Sequence, residues 1–463
     1  MAVTLPSMPR ARDLRAALPT SPSVPARERL LSLDVFRGIT VAGMLLVNDP
    51  GTWSAIYPPL EHAAWNGWTP TDLVFPFFLF IVGITTYLSL NARRARGDSE
   101  HAKWNGWTPT DLVFPFFLFI VGITTYLSLG ARRARGDGEQ AIRAQIIRRG
   151  ALIFLFGLLI NGFPYFTWGS VPGVADPTLL QRMGDRLLHW RMLGVLQRIG
   201  IAYTVAALLT LRTTVRQQIL ILASILFGYW IVMTVLPVPG EGTIGALLLD
   251  EPSRTMAAWV DRLVLDWSRV GLGNHLWASS VTWDPEGVLS TIPAIGTAML
   301  GNLAGRWIGE RRPLSERLAG LSSVGALGMM TGLMWHWSFP INKSLWTSSY
   351  VLFSAGMAAV ALSTVMWIVD FNRVRRFTKP FVVYGTNPIV AFVGSAVMAR
   401  CIYSIFKVNY GGARIPLQEG IYRALFASWL SPVNASLAFA VAFVLFWYGV
   451  LYELHRRGII LKV

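Results

Sequence analysis

Along this chain, apolar residues gather into blocks of roughly 16–25, separated by polar links. A helix needs about 20 apolar residues to cross a hydrocarbon core of about 30 Å. With one copy of an internal repeat set aside, the pattern predicts ten spans: 33–48, 73–90 (or its copy 112–129), 146–161, 192–211, 218–236, 287–308, 316–338, 345–369, 381–406 and 432–452. Every second link is basic. Links 131–149, 211–218, 306–317 and 370–379 hold most of the arginine, and the tail carries Arg456, Arg457 and Lys462. The other links, 49–72, 162–190, 237–286, 339–344 and 407–431, hold the Pro, Gly, Trp and most acids. Basic links stay on the cytoplasmic side. The prediction is an all-α, polytopic helical membrane protein with about ten core transmembrane helices, one duplicated hydrophobic helix and both termini cytoplasmic. Residues 1–29, rich in Arg, Pro, Ser and Ala, read as a disordered cytoplasmic tail, and 30–463 as the transmembrane domain.

The repeat strains this scheme. Residues 61–99 recur as 100–138 with three changes: Ala64/Lys103, Asn91/Gly130 and Ser99/Gly138. An eleventh full span would invert every later link. One copy is therefore expected not to act as an independent span. Near-identity marks the duplication as recent rather than architectural, since solenoid repeats number three or more and diverge.

Composition narrows the class. Hydrophobic residues make up 53% of the chain and charged residues 14%, against about 25% charged in a soluble domain. The net charge of +16 sits in links, where it orients spans and meets anionic lipid; nucleic acid is not an expected partner. The single Cys401 excludes an intrachain disulfide framework. No zinc spacing, Walker loop, GxSxG elbow or dinucleotide fingerprint occurs, so no metal is expected.

Polar groups inside or beside spans are costly and mark candidate sites. Asp34 and Arg37 lie three apart on one helix face. They read as a local ion pair, or as an arginine turned to a phosphate-bearing ligand. Asn48 closes the first span, and His62 follows it within Glu61-His62-Ala63-Ala64-Trp65-Asn66-Gly67; Asp72 opens the next. Arg198 lies within a span, and Glu286 is its expected partner. Asn342 and Lys343 occupy a short link beside Trp346 and Tyr350, as at an anion or sugar site or as interface anchors. Asn387-Pro388 interrupts the ninth span, as at a kink lining a cavity. The repeat supplies His101 and Asp111 as alternates to His62 and Asp72.

Taken in order, Leu33–Gly38, Val47-Asn48, the His62 run, Asp72-Leu73-Val74-Phe75-Pro76, Gly194–Gly200, Asp284-Pro285-Glu286-Gly287, Pro340–Trp346 and Gly385–Pro388 resemble the heparan-α-glucosaminide N-acetyltransferase family of transmembrane acyltransferases, in a bacterial form. The resemblance covers roughly 30–463. It implies acetyl transfer from cytoplasmic acetyl-CoA, as co-substrate, to the amino group of a glucosamine-type sugar or glycan at the periplasmic face of an inner membrane. It maps the family histidine onto His62, with Asn48 and Asp72 beside it. Two departures from the family are the missing large luminal N-terminal region and the duplication. A sugar transporter and a sugar O-acetyltransferase stand as alternatives, and homo-oligomerisation is compatible with the sequence.

Overall fold

The apolar blocks fold as helices because, in hydrocarbon, a backbone must satisfy its own hydrogen bonds. The chain is described here by a computed structural model at residues 30–57, 67–68, 106–107, 109–167 and 170–461. The helices are α1 (Leu31–Asn48), α2 (Pro109–Ala134), α3 (Glu139–Gly162), α4 (Leu179–Leu188), α5 (Val195–Arg212), α6 (Val215–Thr234) and α7 (Met256–Leu265). They continue with α8 (Val288–Gly309), α9 (Leu314–Trp335), α10 (Ser348–Met366), α11 (Thr378–Thr386), α12 (Pro388–Arg400), α13 (Leu417–Tyr422) and α14 (Pro432–Arg456). Among the described residues, ten helices are long and apolar enough to cross a membrane. They coincide with the ten predicted spans to within a few residues, except at the third, which begins at Glu139 rather than 146, and at the ninth. The protein is an all-α, multi-pass membrane protein.

The second copy of the repeat supplies the second core helix. In α2, Phe116, Leu118, Phe119, Ile120 and Ile123 are all buried. The helix packs backbone to backbone on α8. A Cβ on Gly122 would stand 2.2 Å from the Ala298 carbonyl oxygen, and one on Gly301 would stand 2.1 Å from that of Phe119. Such small-residue contacts let membrane helices approach closely enough for dispersion to hold them. Residues 58–66 and 69–105 lie outside the described residues, and with them His62, Asp72 and His101. Two short strands, β1 (Gly67–Trp68) and β2 (Gly106–Trp107), pair in parallel, Gly67 with Gly106 and Trp68 with Trp107. Equivalent residues of the two copies thus lie side by side.

Three details lay beyond the periodicity. The links 162–190 and 237–286 contain the short helices α4 and α7. Link 407–431 opens with a hairpin, β3 (Lys407–Tyr410) against β4 (Ala413–Pro416). The predicted span 381–406 is broken at Asn387 into α11 and α12, because a proline at the start of a helix has no N–H to continue the preceding one. Around the bundle, α1, α11, α12 and α14 share one apolar cluster that includes Leu45, Tyr384, Phe439 and Trp447. A second, with Tyr229, Met233, Met256 and Phe339, joins α6 and α7 to the segment before α10.

Candidate active site

The polar residues that converge do so at one end, where α5, α8 and α10 begin. Arg191, in the turn before α5, donates through Nε to Asp284 Oδ2 at 2.8 Å and through Nη2 to Asp284 Oδ1 and Glu286 Oε2, both at 2.5 Å. Such a forked guanidinium–carboxylate geometry is among the stronger charge-assisted contacts. The two carboxylates raise the Arg191 pKa, outweighing the opposing effect of burial. The acids are held by their turn: Glu286 N–H donates to Asp284 Oδ1 at 2.9 Å, and Gly287 N–H to the Asp284 carbonyl. Asp261 on α7 then secures the start of α8, accepting from Val288 N–H at 2.8 Å and Asp284 N–H at 3.2 Å. Burial pushes the Asp261 carboxyl up to about 7, against these two hydrogen bonds.

Arg198, one residue in from the first turn of α5, is 1% exposed. Its Nη2 donates to the Pro285 carbonyl at 3.0 Å and to the Ser290 hydroxyl. Its guanidinium carbon stands 5.0 Å from the centroid of the Trp346 ring, a cation–π distance. Its Nε is buried without a hydrogen-bond partner. Trp346 is itself fully buried, packs edge-on against Phe114 at 4.9 Å and Tyr350 at 5.2 Å, and donates to Thr297 Oγ1 at 3.1 Å. Its φ of +51° is left-handed, a conformation a bulky residue keeps only when its surroundings fix it. Asn342 helps fix it, because its Oδ1 accepts from Leu345 N–H at 2.9 Å and its carbonyl from Thr347 N–H. Lys343 acts electrostatically on Glu286.

Arg198, Glu286, Asn342, Lys343 and Trp346 are therefore brought together, and Phe114 joins them from α2. Asp111 lies three residues before Phe114, on the first turn of that helix. The direct partner of Glu286 is Arg191 rather than Arg198. Arg198 is separated from the carboxylates by the Pro285 carbonyl and Ser290. Asn48 ends α1 at the same end of the bundle and is exposed. Asp49, immediately after it, is buried, and burial pushes its carboxyl up to about 7.

The remaining predicted residues lie elsewhere. Arg37 Nη1 donates to Asp34 at 3.4 Å and to the Gly385 carbonyl at 3.2 Å, in the seam between α1 and α11. Eleven residues of α1, about 16 Å at helical rise, separate Arg37 from Asn48. Asn387 uses both ends of its amide on the segment after α14, donating to the Ile459 carbonyl and accepting from Leu461 N–H. It holds the tail against the helix break. The periodicity did not single out Arg191 or Asp261, because each lies in a link with no repeat pattern. The Asp-Pro-Glu-Gly turn was the signal that a cation had to meet it. Among the described residues, no group of three or more His, Cys, Asp or Glu side chains is placed to hold a metal.

A bundle of ten apolar helices that gathers buried, crossed ion pairs and a guanidinium–aromatic stack at one mouth defines a multi-pass membrane protein with a built polar site. The human heparan-alpha-glucosaminide N-acetyltransferase is 30% identical over 418 residues, 80% of this chain and 53% of the human protein. The mouse protein of the same name is 29% identical over 445 residues, 85% of this chain and 57% of its own length. No family model matches. Over the shared stretch the chain is similar to these heparan-alpha-glucosaminide N-acetyltransferases. It spans about half the length of the curated relatives it matches.

Proposed function

We propose that this protein is a transmembrane N-acetyltransferase that takes acetyl from cytoplasmic acetyl-CoA and delivers it to the amino group of a glucosamine-type sugar or glycan across the inner membrane. The observation that carries this reading is the similarity to these relatives together with the meeting of the Arg198, Asp284–Gly287, Asn342–Trp346 and Asp111–Pro115 motifs at one end of the bundle. Both termini are assigned to the cytoplasm from the basic links. Reporter fusions after Arg216 and Arg312 test that, and periplasmic signals at both would overturn it.

His62 is the proposed base or acetyl carrier. A neutral imidazole accepts the proton of the attacking amine, or itself attacks the thioester. The new C–N bond forms as the C–S bond breaks, and the released thiolate takes a proton to leave as free CoA. An Asn48 amide suits the thioester oxygen as it gains charge, and a carboxylate from the repeat suits the imidazole. Because α2 comes from the second copy, Asp111 is preferred to Asp72 for that carboxylate. The spare donor of Arg198, held dry beside Trp346, supplies a second fixed positive dipole at the mouth.

Purified protein given acetyl-CoA and glucosamine acceptors should release CoA and form the acetamide. His62→Ala should abolish transfer while leaving folding and CoA binding in place. His101→Ala should retain most activity. Asp111→Asn should cost more than Asp72→Asn. An essential His101 with a dispensable His62 would move the site to the second copy. Full activity with both histidines replaced would remove the histidine mechanism. Sugar uptake with no acetyl transfer would replace the enzyme by a transporter.

A further inference from the structure

Next to the candidate site is a cavity of about 410 Å³ between the end of α3, α4 and the 266–275 loop. Leu158, Leu187, Trp190, Met192, Trp267 and Leu272 line it, with His275 at one side. The volume falls in the range of small-molecule sites. Its few polar wall atoms are already engaged. Trp190 Nε1 donates to the Leu158 carbonyl, Trp267 Nε1 to that of Val264, and both His275 ring nitrogens face backbone carbonyls at 2.8 and 3.1 Å. The interior therefore offers hydrocarbon and no free hydrogen-bonding group. An occupant must be apolar in the part it inserts.

The rim says what the rest of that occupant carries. On α4, Leu179, Leu180, Met183 and Leu187 share one exposed face, and no residue of the helix is buried. Arg182 and Arg186 lie on the flank of that face and turn in to backbone carbonyls, those of Pro177 and Thr167 for Arg182 and those of Asn161 and Gly162 for Arg186. A short helix with leucines outward and arginines inward fits the membrane interface. Arg186 donates to the Asn161 carbonyl at 2.6 Å and the Gly162 carbonyl at 3.2 Å, and Arg400 donates to the Phe163 carbonyl at 3.2 Å. Two guanidiniums thus meet on three consecutive carbonyls, one helical turn beyond Leu158.

Capping alone does not balance them. A helix C-terminus presents about half a negative charge, against two whole positive ones. Neither arginine has a carboxylate within ion-pair range among the described residues. Asp185, beside Arg186, is engaged by Thr167 and His189. Arg191 also acts on Arg400, but the charge of Arg191 is met by Asp284 and Glu286. Among the described residues, Arg400 makes one hydrogen bond, that to the Phe163 carbonyl.

We propose that this cavity binds one hydrocarbon chain of an anionic, phosphate-bearing membrane lipid, whose phosphate rests on Arg186 and Arg400. Arginine suits phosphate through paired N–H donors, and the leucine face of α4 places the opening at lipid level. The site stands whether or not the acetyltransferase reading does.

The test uses the full chain in detergent, measured by native mass spectrometry and thermal melting. Added phosphatidylglycerol should remain bound at one molecule per protein, about tenfold more tightly than phosphatidylcholine with the same chains or than diacylglycerol. It should raise the melting midpoint. Arg186→Gln/Arg400→Gln should abolish the preference for phosphatidylglycerol. Because those arginines also cap α3, Leu272→Trp, at the exposed rim, provides a variant that fills the cavity with both arginines intact. It should weaken phosphatidylglycerol about tenfold with an unchanged lipid-free melting midpoint. Equal retention of the three lipids would overturn the proposal. So would undiminished binding in Leu272→Trp, or inorganic phosphate alone stabilising as much as the lipid.

Discussion

The two ends of the bundle handle charge in opposite ways. At the end of the candidate site, beside local exposed pairs such as Arg423 with Glu419, one cluster joins residues far apart in sequence and lies largely buried: Arg191 with Asp284 and Glu286. At the other end, pairs are local and exposed: Arg143 with Glu139, Arg312 with Glu310, and Arg456 and Arg457 with Glu453. Water screens the second kind, and such pairs contribute little. The first kind is costly to desolvate and severe to break, because the survivor is left charged and unpartnered. One end therefore keeps its charge in local pairs that meet water. The other uses a few charges to fix geometry.

The largest expected effect tests that contrast directly. Asp284→Ala leaves Arg191 with half its partners and removes the carboxylate that orders the Glu286 turn. It should destabilise the protein by about 3–5 kcal/mol, read as a lower melting midpoint in detergent. A loss under about 1 kcal/mol would show that the site end is as soft as the basic end. Next, Trp346→Ala removes the ring that Arg198, Phe114 and Tyr350 pack against, at a cost of about 3–5 kcal/mol by cavity formation. Trp346→Phe should recover part of the stability but not the Thr297 hydrogen bond, with acetyl transfer separating packing from chemistry.

A smaller effect depends on pH. The Asp49 carboxyl, pushed up to about 7 by burial, holds its proton more tightly folded than unfolded. Its contribution to stability should therefore fall as pH rises from about 4 through 7. Asp49→Asn should remove that decline, so the melting midpoint of the variant should gain on the parent across this window and hold the gain above it. A parent and variant with parallel pH profiles would mean that Asp49 is solvated. The smallest effect belongs to the basic end. Glu310→Ala should change stability by no more than about 0.5 kcal/mol, and the change should vanish in 1 M salt. A larger, salt-resistant loss would break the comparison from that side.

Much of the fold was legible because a membrane makes the pattern simple. A span must be apolar along its whole length, so length and hydropathy locate it, and arginine in alternate links orders the spans. The break at Asn387 was legible in its proline. Of the candidate site, Arg198, Glu286, Asn342, Lys343 and Trp346 were picked out as polar groups in costly places, and they meet. Their pairing was not legible. Glu286 was expected to meet Arg198, and only the fold, by bringing the turn before α5 to it, makes Arg191 its partner. Asn387 was flagged by the same reasoning, yet its amide is occupied by the backbone beyond α14.

The sequence by itself determined that this chain is a ten-span helical bundle, because burial of apolar side chains and self-satisfied backbone hydrogen bonds are local demands that each segment meets alone. It could not rank two identical apolar helices, since hydropathy is equal in both. Only tertiary structure decided that the second copy packs on α8, where Gly122 and Gly301 let the backbones touch. It likewise decided which cation meets which carboxylate, because a desolvated charge is matched by whatever the fold brings within about 3 Å, and sequence distance carries no information about that.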